Sequence, residues 1–441
     1  MIVKWCAYLM KARSLTRIFK QWGAVQLWLI PFFYAAASIA GSLILPRLEA
    51  RYFAYDLNLS ISSAQAYLSA VASGMMALTG IVFSIAFVLV QFNAIVYSPR
   101  LVVWFTRDRL LFHSLGVFVA TFMYSLGTLP WIDRGGNGVV PFFSCMLVAS
   151  MLVASVLMLA QLVQRLNNLQ ITRVLHALGD IGREVIRETY PGITVAAPRR
   201  NPDANPRRVP ASFALSIKHQ GKPRVVVRID IDGLVKLARQ ADCTIVVDCA
   251  VGDTLLEDMR LLHASNVTSK LSETELRKFI HLGDQRTFEQ DPKYPLRLLV
   301  DIAIKALSPA INDPTTAVQA IDQIEDLLAR LAKCDLERSR AFDQDGILRV
   351  IFQMPDWADY LTLAFDEIRQ YGANSIQVMR RLRSALADLV EAVGSDRAGL
   401  VKAYLDHLDQ SIERSDFDPQ DRAAARVEDR QGLGLSHRQE D

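Results

Sequence analysis

The sequence predicts an α-helical membrane domain of four transmembrane helices followed by a mostly helical α+β cytoplasmic domain. Three observations carry that prediction. Four stretches contain no charged residue: Gln21 to Pro46, Leu57 to Pro99, Leu110 to Ile132 and Gly135 to Gln164. Each exceeds the ~20 residues a helix needs to cross the hydrocarbon core of a bilayer. Charge divides the chain at the same place, since residues 1–165 hold 12 basic and 4 acidic side chains, net +8, and the remainder 37 and 42, net −5. Beyond residue 210 the apolar residues first recur at period two and then at helical spacing.

The basic N-terminus, residues 1–23, carries Lys4, Lys11, Arg13, Arg17 and Lys20 and no acid. The first apolar segment is not a cleavable signal, because its core is too long and Leu45-Pro46-Arg47 follows it rather than a small-residue cleavage site. The membrane domain spans 24–164. Arg100, Arg107, Arg109, Arg165 and Arg173 join the N-terminal five on one side, against Arg47, Arg51 and Arg134 on the other. By the positive-inside rule, this bias of ten to three puts both termini in the cytoplasm of a multi-pass inner-membrane protein. No Asp, Glu, Lys or Arg is expected within a span, which disfavours a proton relay or an ion-pair-driven pump.

Span two is the most polar. Ser69, Ser73, Gly80, Ser84 and Gln91 recur at intervals of four, seven, four and seven, which is one stripe of a helix. Two readings stand. Small residues let helix backbones approach, the favoured reading; the same surface would line a pore in an oligomer.

Residues 165–190 continue span four as a helical extension, with Ile171, Val174, Leu178, Ile181 and Val185 forming a short heptad seam. The seam packs on the chain's own cytoplasmic domain or joins subunits in a stalk. A Pro/Arg/Asn-rich linker, 191–210, is expected to be flexible. Residues 211–265 read as a small α+β module. Its strands carry Phe213, Leu215 and Ile217, then Val225, Val227 and Ile229, then Cys243, Ile245 and Val247, with a helix near Leu234 to Arg239. Ser272 and Glu275 have capping-box spacing and predict a helix through His281. Residues 266–415 form a helical domain, and 416–441, charged and poor in aromatics, a disordered tail.

A polar corner interrupts the helical domain at "KALSPAINDPTTAVQAIDQIEDLL", Lys305 to Leu328. Pro309 stops one helix near Leu307, and Pro314 suits the first position of the next. Asp313 would cap that helix by accepting from Thr315 or Thr316. Upstream, Arg297, Asp301 and Lys305 share one face in alternating sign, and Asp301, if buried, needs a partner. The candidate site therefore comprises Asp284, Arg286, Asp291, Asp301, Lys305, Ser308, Asn312, Asp313 and Pro314, as a structural turn network or a ligand site.

These residues also carry a resemblance. "ALSPAINDPTTA", with "GDQRTFEQDP", "LVDIA", "YSPRLV" and "MPDWADYLTLAFDEIRQYG", resembles the signature of a bacterial family of predicted membrane proteins of unknown function. The resemblance implies four N-terminal spans and a cytoplasmic C-terminal region, and it brings no activity with it.

Function is less constrained. There is no nucleophile elbow, P-loop, dinucleotide glycine motif or zinc helix, so the reading leans away from an enzyme. No catalytic residue, cofactor or metal is expected. The five cysteines are scattered and read as reduced thiols. The net acidic C-terminal half disfavours nucleic acid. Expected partners are the lipid bilayer, a second copy of the chain in a homo-oligomer, and an unidentified small ligand or protein. The leading hypothesis is a membrane-anchored scaffold or sensor, then an oligomeric channel or transporter gated by the cytoplasmic domain, then a membrane-bound enzyme.

Overall fold

A computed structural model describes residues 29–52, 60–96, 109–134, 140–167, 170–190, 215–265, 271–336 and 339–434. The basic N-terminus, the linker 191–210 and Phe213 lie outside these residues. The chain divides into two units, 1–174 and 175–441.

The N-terminal unit is built from α1 (Leu29–Tyr52), α2 (Ile61–Val96), α3 (Arg109–Thr128) and α4 (Phe142–Asn167). Each forms a stretch long and apolar enough to cross a membrane, α3 together with the 3-10 turn Leu129–Trp131 that follows it: Leu29–Glu49, Ile61–Val88, Leu110–Trp131 and Phe142–Gln164. Large apolar side chains such as Phe33, Phe83, Phe87 and Leu157 point outward. Lipid accepts such a surface and water does not.

α3 is central and packs on α1, α2 and α4. Its glycines allow the close approach: a Cβ on Gly116 would stand 2.7 Å from the Tyr34 ring, and one on Gly127 2.2 Å from Ser42 Oγ. Ser38 Oγ donates to the Ala120 carbonyl at 2.5 Å, and the Thr121 and Ser155 hydroxyls meet at 3.1 Å. Small and hydroxyl-bearing residues thus do join the helices, on α1, α3 and α4.

Two expectations need correction here. The charge-free stretch ends at Pro46, but α1 accepts that proline and runs on to Tyr52. Glu49 therefore falls within the first span, buried. Nor does span four continue unbroken, since α4 ends at Asn167 and α5 begins at Ile171. The described residue at the break is Gln170, whose carbonyl accepts from the Arg173 and Val174 amides at the start of α5.

The C-terminal unit holds most of α5 (Ile171–Thr189) and two sheets. Its strands are β1 (Leu215–Lys218), β2 (Arg224–Ile229), β3 (Thr244–Val247), β4 (Thr254–Leu255), β5 (Arg260–Ser265), β6 (Ile280–Gly283), β7 (Arg340–Phe342) and β8 (Leu348–Ile351). The larger sheet has the order β1-β5-β3-β8-β7 and the smaller β4-β2-β6. β3 and β8 are parallel; the other pairs are antiparallel. A helix, α6 (Ile231–Gln240), follows β2, and Leu234 joins Ile217, Ile245, Leu262 and Val350 in one core.

The α+β module does not close at residue 265, because β6, β7 and β8 complete its sheets. The hairpin of β7 and β8 has a readable signal in Asp345-Gly346. Gln344, Asp345 and Gly346 form its turn: the Gly346 amide donates to the Asp343 carbonyl, Gly346 has φ +74°, and the Asp343 carboxylate accepts from the amides of Asp345 and Ile347. In β2 the buried residues are Val226 and Ile229, not Val225 and Val227, because the register shifts between Val226 and Arg228. The predicted helix from Ser272 is one short turn, α7 (Glu273–Arg277), and the chain enters β6 by Ile280. Ser272 makes no side-chain cap; its hydroxyl meets Thr274 instead.

The remaining helices are α8 (Lys293–Ala306), α9 (Pro314–Leu331), α10 (Trp357–Tyr371), α11 (Ile376–Ala392), α12 (Ser395–Glu413) and α13 (Pro419–Ala425). α8 is apolar nearly all round and buried against α9 and α10. Asp356 caps α10 in a reciprocal box with Asp359, and Ser375 caps α11. The tail expected to be disordered is ordered as far as Gly434. Buried Asp429 accepts from the amides of Gln431, Gly432 and Gly434, and Gln377 and Arg380 of α11 donate to the Gly432 and Gly434 carbonyls. One aspartate and two glycines at positive φ build that hook without aromatic or aliphatic bulk.

Candidate functional site

The corner between α8 and α9 follows the backbone rules that predict it. The last turn of α8 closes at Leu307, and the Ser308 hydroxyl donates to the Lys305 carbonyl at 2.7 Å. Asn312 takes the left-handed conformation, φ +49°, which asparagine tolerates better than most residues. That reversal lets the Asp313 amide reach back to the Ala306 carbonyl at 2.8 Å. Asp313 then caps α9: Oδ1 accepts from the Thr316 amide at 3.1 Å and Oδ2 from the Thr316 hydroxyl at 2.5 Å. Pro314 occupies the first helical turn.

Lys305, in the last turn of α8, belongs to this corner, and the other candidate residues lie elsewhere. Arg286 and Asp291 precede α8, whereas Ser308, Asn312, Asp313 and Pro314 follow it. α8 has 14 residues. At 1.5 Å per residue the two groups are separated by roughly 20 Å, so the nine residues do not form one site.

The Arg286 guanidinium donates twice to Asp291, Nε to Oδ2 at 2.5 Å and Nη2 to Oδ1 at 3.0 Å. It also stacks over the Tyr294 ring at 5.5 Å and lies against Gly252, whose φ is +94°. The Asp291 side chain is fully buried, which this bidentate partner makes tolerable. Gln290 accepts from the Ile229 amide, so the segment 286–291 ties the smaller sheet to the start of α8. Exposed Asp284 pairs with Arg224 and Lys222 at 2.7 and 3.5 Å. Asp301, midway along α8, accepts from Arg297 at 2.6 Å, and Arg297 makes a second, bidentate pair with Glu367 on α10. The burial that made a partner for Asp301 necessary is matched by one.

The α2 stripe faces away from the other helices of its own unit. Ser69, Ser73, Gly80, Ser84 and Gln91 are all exposed on the chain, and a Cβ on Gly80 would meet nothing within 4 Å. Ser73 and Ser84 return their hydroxyls to the carbonyls four residues back, each at 2.9 Å. The face of α2 that packs inside the unit carries Ala64, Leu68, Val71, Met75 and Val82.

Sequence reasoning missed two clusters. The first joins α5 to the helical core. Gly182 lies against Leu327, Arg183 bridges Asp180 and Asp326 at 2.6 Å each, and the buried hydroxyls of Tyr190 and Tyr360 meet at 2.9 Å. Burial pushes the Tyr190 phenol up to about 12 and the Tyr360 phenol well above its ordinary value. The heptad seam signalled a buried face, but its partners lie far along the chain. The second cluster surrounds Glu49. Among the described residues no three His, Cys, Asp or Glu side chains gather as a metal ion would require. Burial pushes the thiols of Cys243 and Cys249 to about 11 and about 12, so both are inert near neutral pH.

Comparison with known proteins agrees with this architecture. A family described as "Predicted membrane protein (DUF2254)" matches residues 24–388, and the chain belongs to it. It is similar to an uncharacterized protein of Mycobacterium tuberculosis (strain ATCC 25618 / H37Rv), 27% identical over 418 residues that cover 91% of this chain and 78% of the relative. An uncharacterized protein of Mycobacterium bovis (strain ATCC BAA-935 / AF2122/97) matches with the same identity and coverage. No solved structure matches.

Proposed function

We propose, with that family membership as premise, that the chain is a membrane-anchored sensor or scaffold whose C-terminal unit binds a partner or small ligand in the cytoplasm. The docking of α5 is the observation that supports it. α5 starts four residues after the end of α4 and is then fastened, by Gly182, Arg183 and Tyr190, to α9 and α10. A simple anchor needs a flexible tether, whereas a sensor needs an element that carries displacement of the span into the binding unit. The polar residues of the candidate site are engaged in caps and ion pairs, which suits a framework rather than a reaction centre.

The test is hydrogen exchange on the full chain in vesicles of short-chain and long-chain lipid. A sensor predicts that amides of α9 and α10 change protection with bilayer thickness. Identical exchange in both lipids would remove the coupling and the reading with it. The outward polar stripe of α2 favours a second reading, an oligomeric channel; ion flux through the same vesicles would put it first.

A further inference from the structure

At the end of the bundle where α1 and α3 finish and α2 and α4 begin, polar groups of α1, α3 and α4 come together, with Tyr67 of α2 in the adjoining apolar cluster. Glu49 of α1 is buried, and its Oε1 accepts from Ser144 Oγ of α4 at 2.7 Å. The backbone amides of Phe143 and Ser144, in the first turn of α4, also point to this carboxylate. Tyr124 of α3 lies within electrostatic range of Glu49 and beside Ser144. It is only 2% exposed, and its hydroxyl lies close to the Ser144 and Thr128 hydroxyls without forming a hydrogen bond of sound geometry to either. The hydroxyl of Tyr67 on α2 is likewise buried and unpartnered, and Tyr67 packs in the same cluster as Tyr124 and Cys145.

The charges do not balance. Arg47, two residues before Glu49, stacks instead on the Trp131 ring, which Arg134 also covers. No described lysine or arginine forms an ion pair with Glu49. The N-terminus of α4 contributes roughly half a positive charge. That leaves about half a negative charge uncompensated in a buried position, where unpaired charge is costly.

We propose that this cluster is a binding site for a small monovalent cation of the sodium class. The donors are three oxygens, the Glu49 carboxylate, the Ser144 hydroxyl and the Tyr124 phenol, and the nearby Cys145 thiol stays protonated and takes no part. Hard cations select such ligands. A cation both neutralises Glu49 and gives the unpartnered phenol oxygen a positive centre. A proton on Glu49 would do the first and leave the Tyr124 phenol unsatisfied.

The test uses the full chain in detergent or vesicles, with sodium chloride exchanged for N-methylglucamine chloride at constant ionic strength. Sodium is expected to raise the thermal midpoint saturably, and Glu49→Gln and Tyr124→Phe to abolish that response. Should Glu49→Gln fail to fold, Tyr124→Phe, which removes one oxygen from a packed ring, decides the matter alone. A wild-type midpoint indifferent to sodium overturns the proposal. So does a sodium response that Tyr124→Phe leaves intact, or a midpoint that follows pH through Glu49 and ignores sodium, since that assigns the site to a proton.

Discussion

Asp313 shows how far one side chain can be read. Its position between a left-handed Asn312 and Pro314 leaves its carboxylate facing the first amides of α9, where it accepts from both donors of Thr316. A neutral oxygen acceptor serves a cap nearly as well as a charged one. Asp313→Asn and Asp313→Ser should therefore shift the thermal midpoint little, and Asp313→Ala should cost about 1 kcal/mol. Thermal melts of the three variants distinguish a cap from a charge-dependent role. If asparagine proved as damaging as alanine, the carboxylate would be binding a cation or proton rather than closing a helix.

At the scale of elements, the docking of α5 on α9 depends on both shape and charge. A Cβ on Gly182 would stand 2.6 Å from a Leu327 methyl inside the packed seam, whereas one on Gly179 meets the movable amide of Gln323. Gly182→Val should accordingly cost about 1–3 kcal/mol as an overpacked contact, and Gly179→Ala less. Burial alone would raise the Asp326 carboxyl, but Arg330 and Arg183 outweigh it and hold Asp326 below the ordinary carboxylate range. The stability this contributes is complete above the unfolded value of ~3.9 and is lost as pH falls through the lower folded value. Amide protection in α5 should thus fall on acidification below about pH 4, and in Asp326→Asn it should already be weaker at neutral pH. Protection that is equal in both proteins at neutral pH would remove the pair from the docking. These elements also show what the sequence makes legible. The seam of α5 and the cap at Asp313 are local patterns, and they stand where the spacing puts them. The partners of α5 depend on chain return. So does the sheet, whose β3 pairs with β8 about a hundred residues on. The polar corner failed as one site for the same reason: nearness in sequence stood in for nearness in space, and α8 separates its halves.

At the scale of the molecule, the sensor reading requires the C-terminal unit to face the cytoplasm. Ten basic residues flank the spans on its side and three on the other, and short flanking segments of this kind are where the positive-inside bias operates. The cysteines bear on the same question independently. Cys243 and Cys249 are buried, unpaired thiols in the C-terminal unit, a state that a reducing compartment preserves. A membrane-impermeant maleimide applied to intact cells should therefore label Gly138→Cys, in the segment between spans three and four, and leave Ser436→Cys, near the C-terminus, unlabelled until the cells are lysed. Labelling at Ser436→Cys from outside would invert the molecule. The C-terminal unit would then face an oxidising space with its thiols unpaired, and the cytoplasmic partner proposed for it would have to be given up.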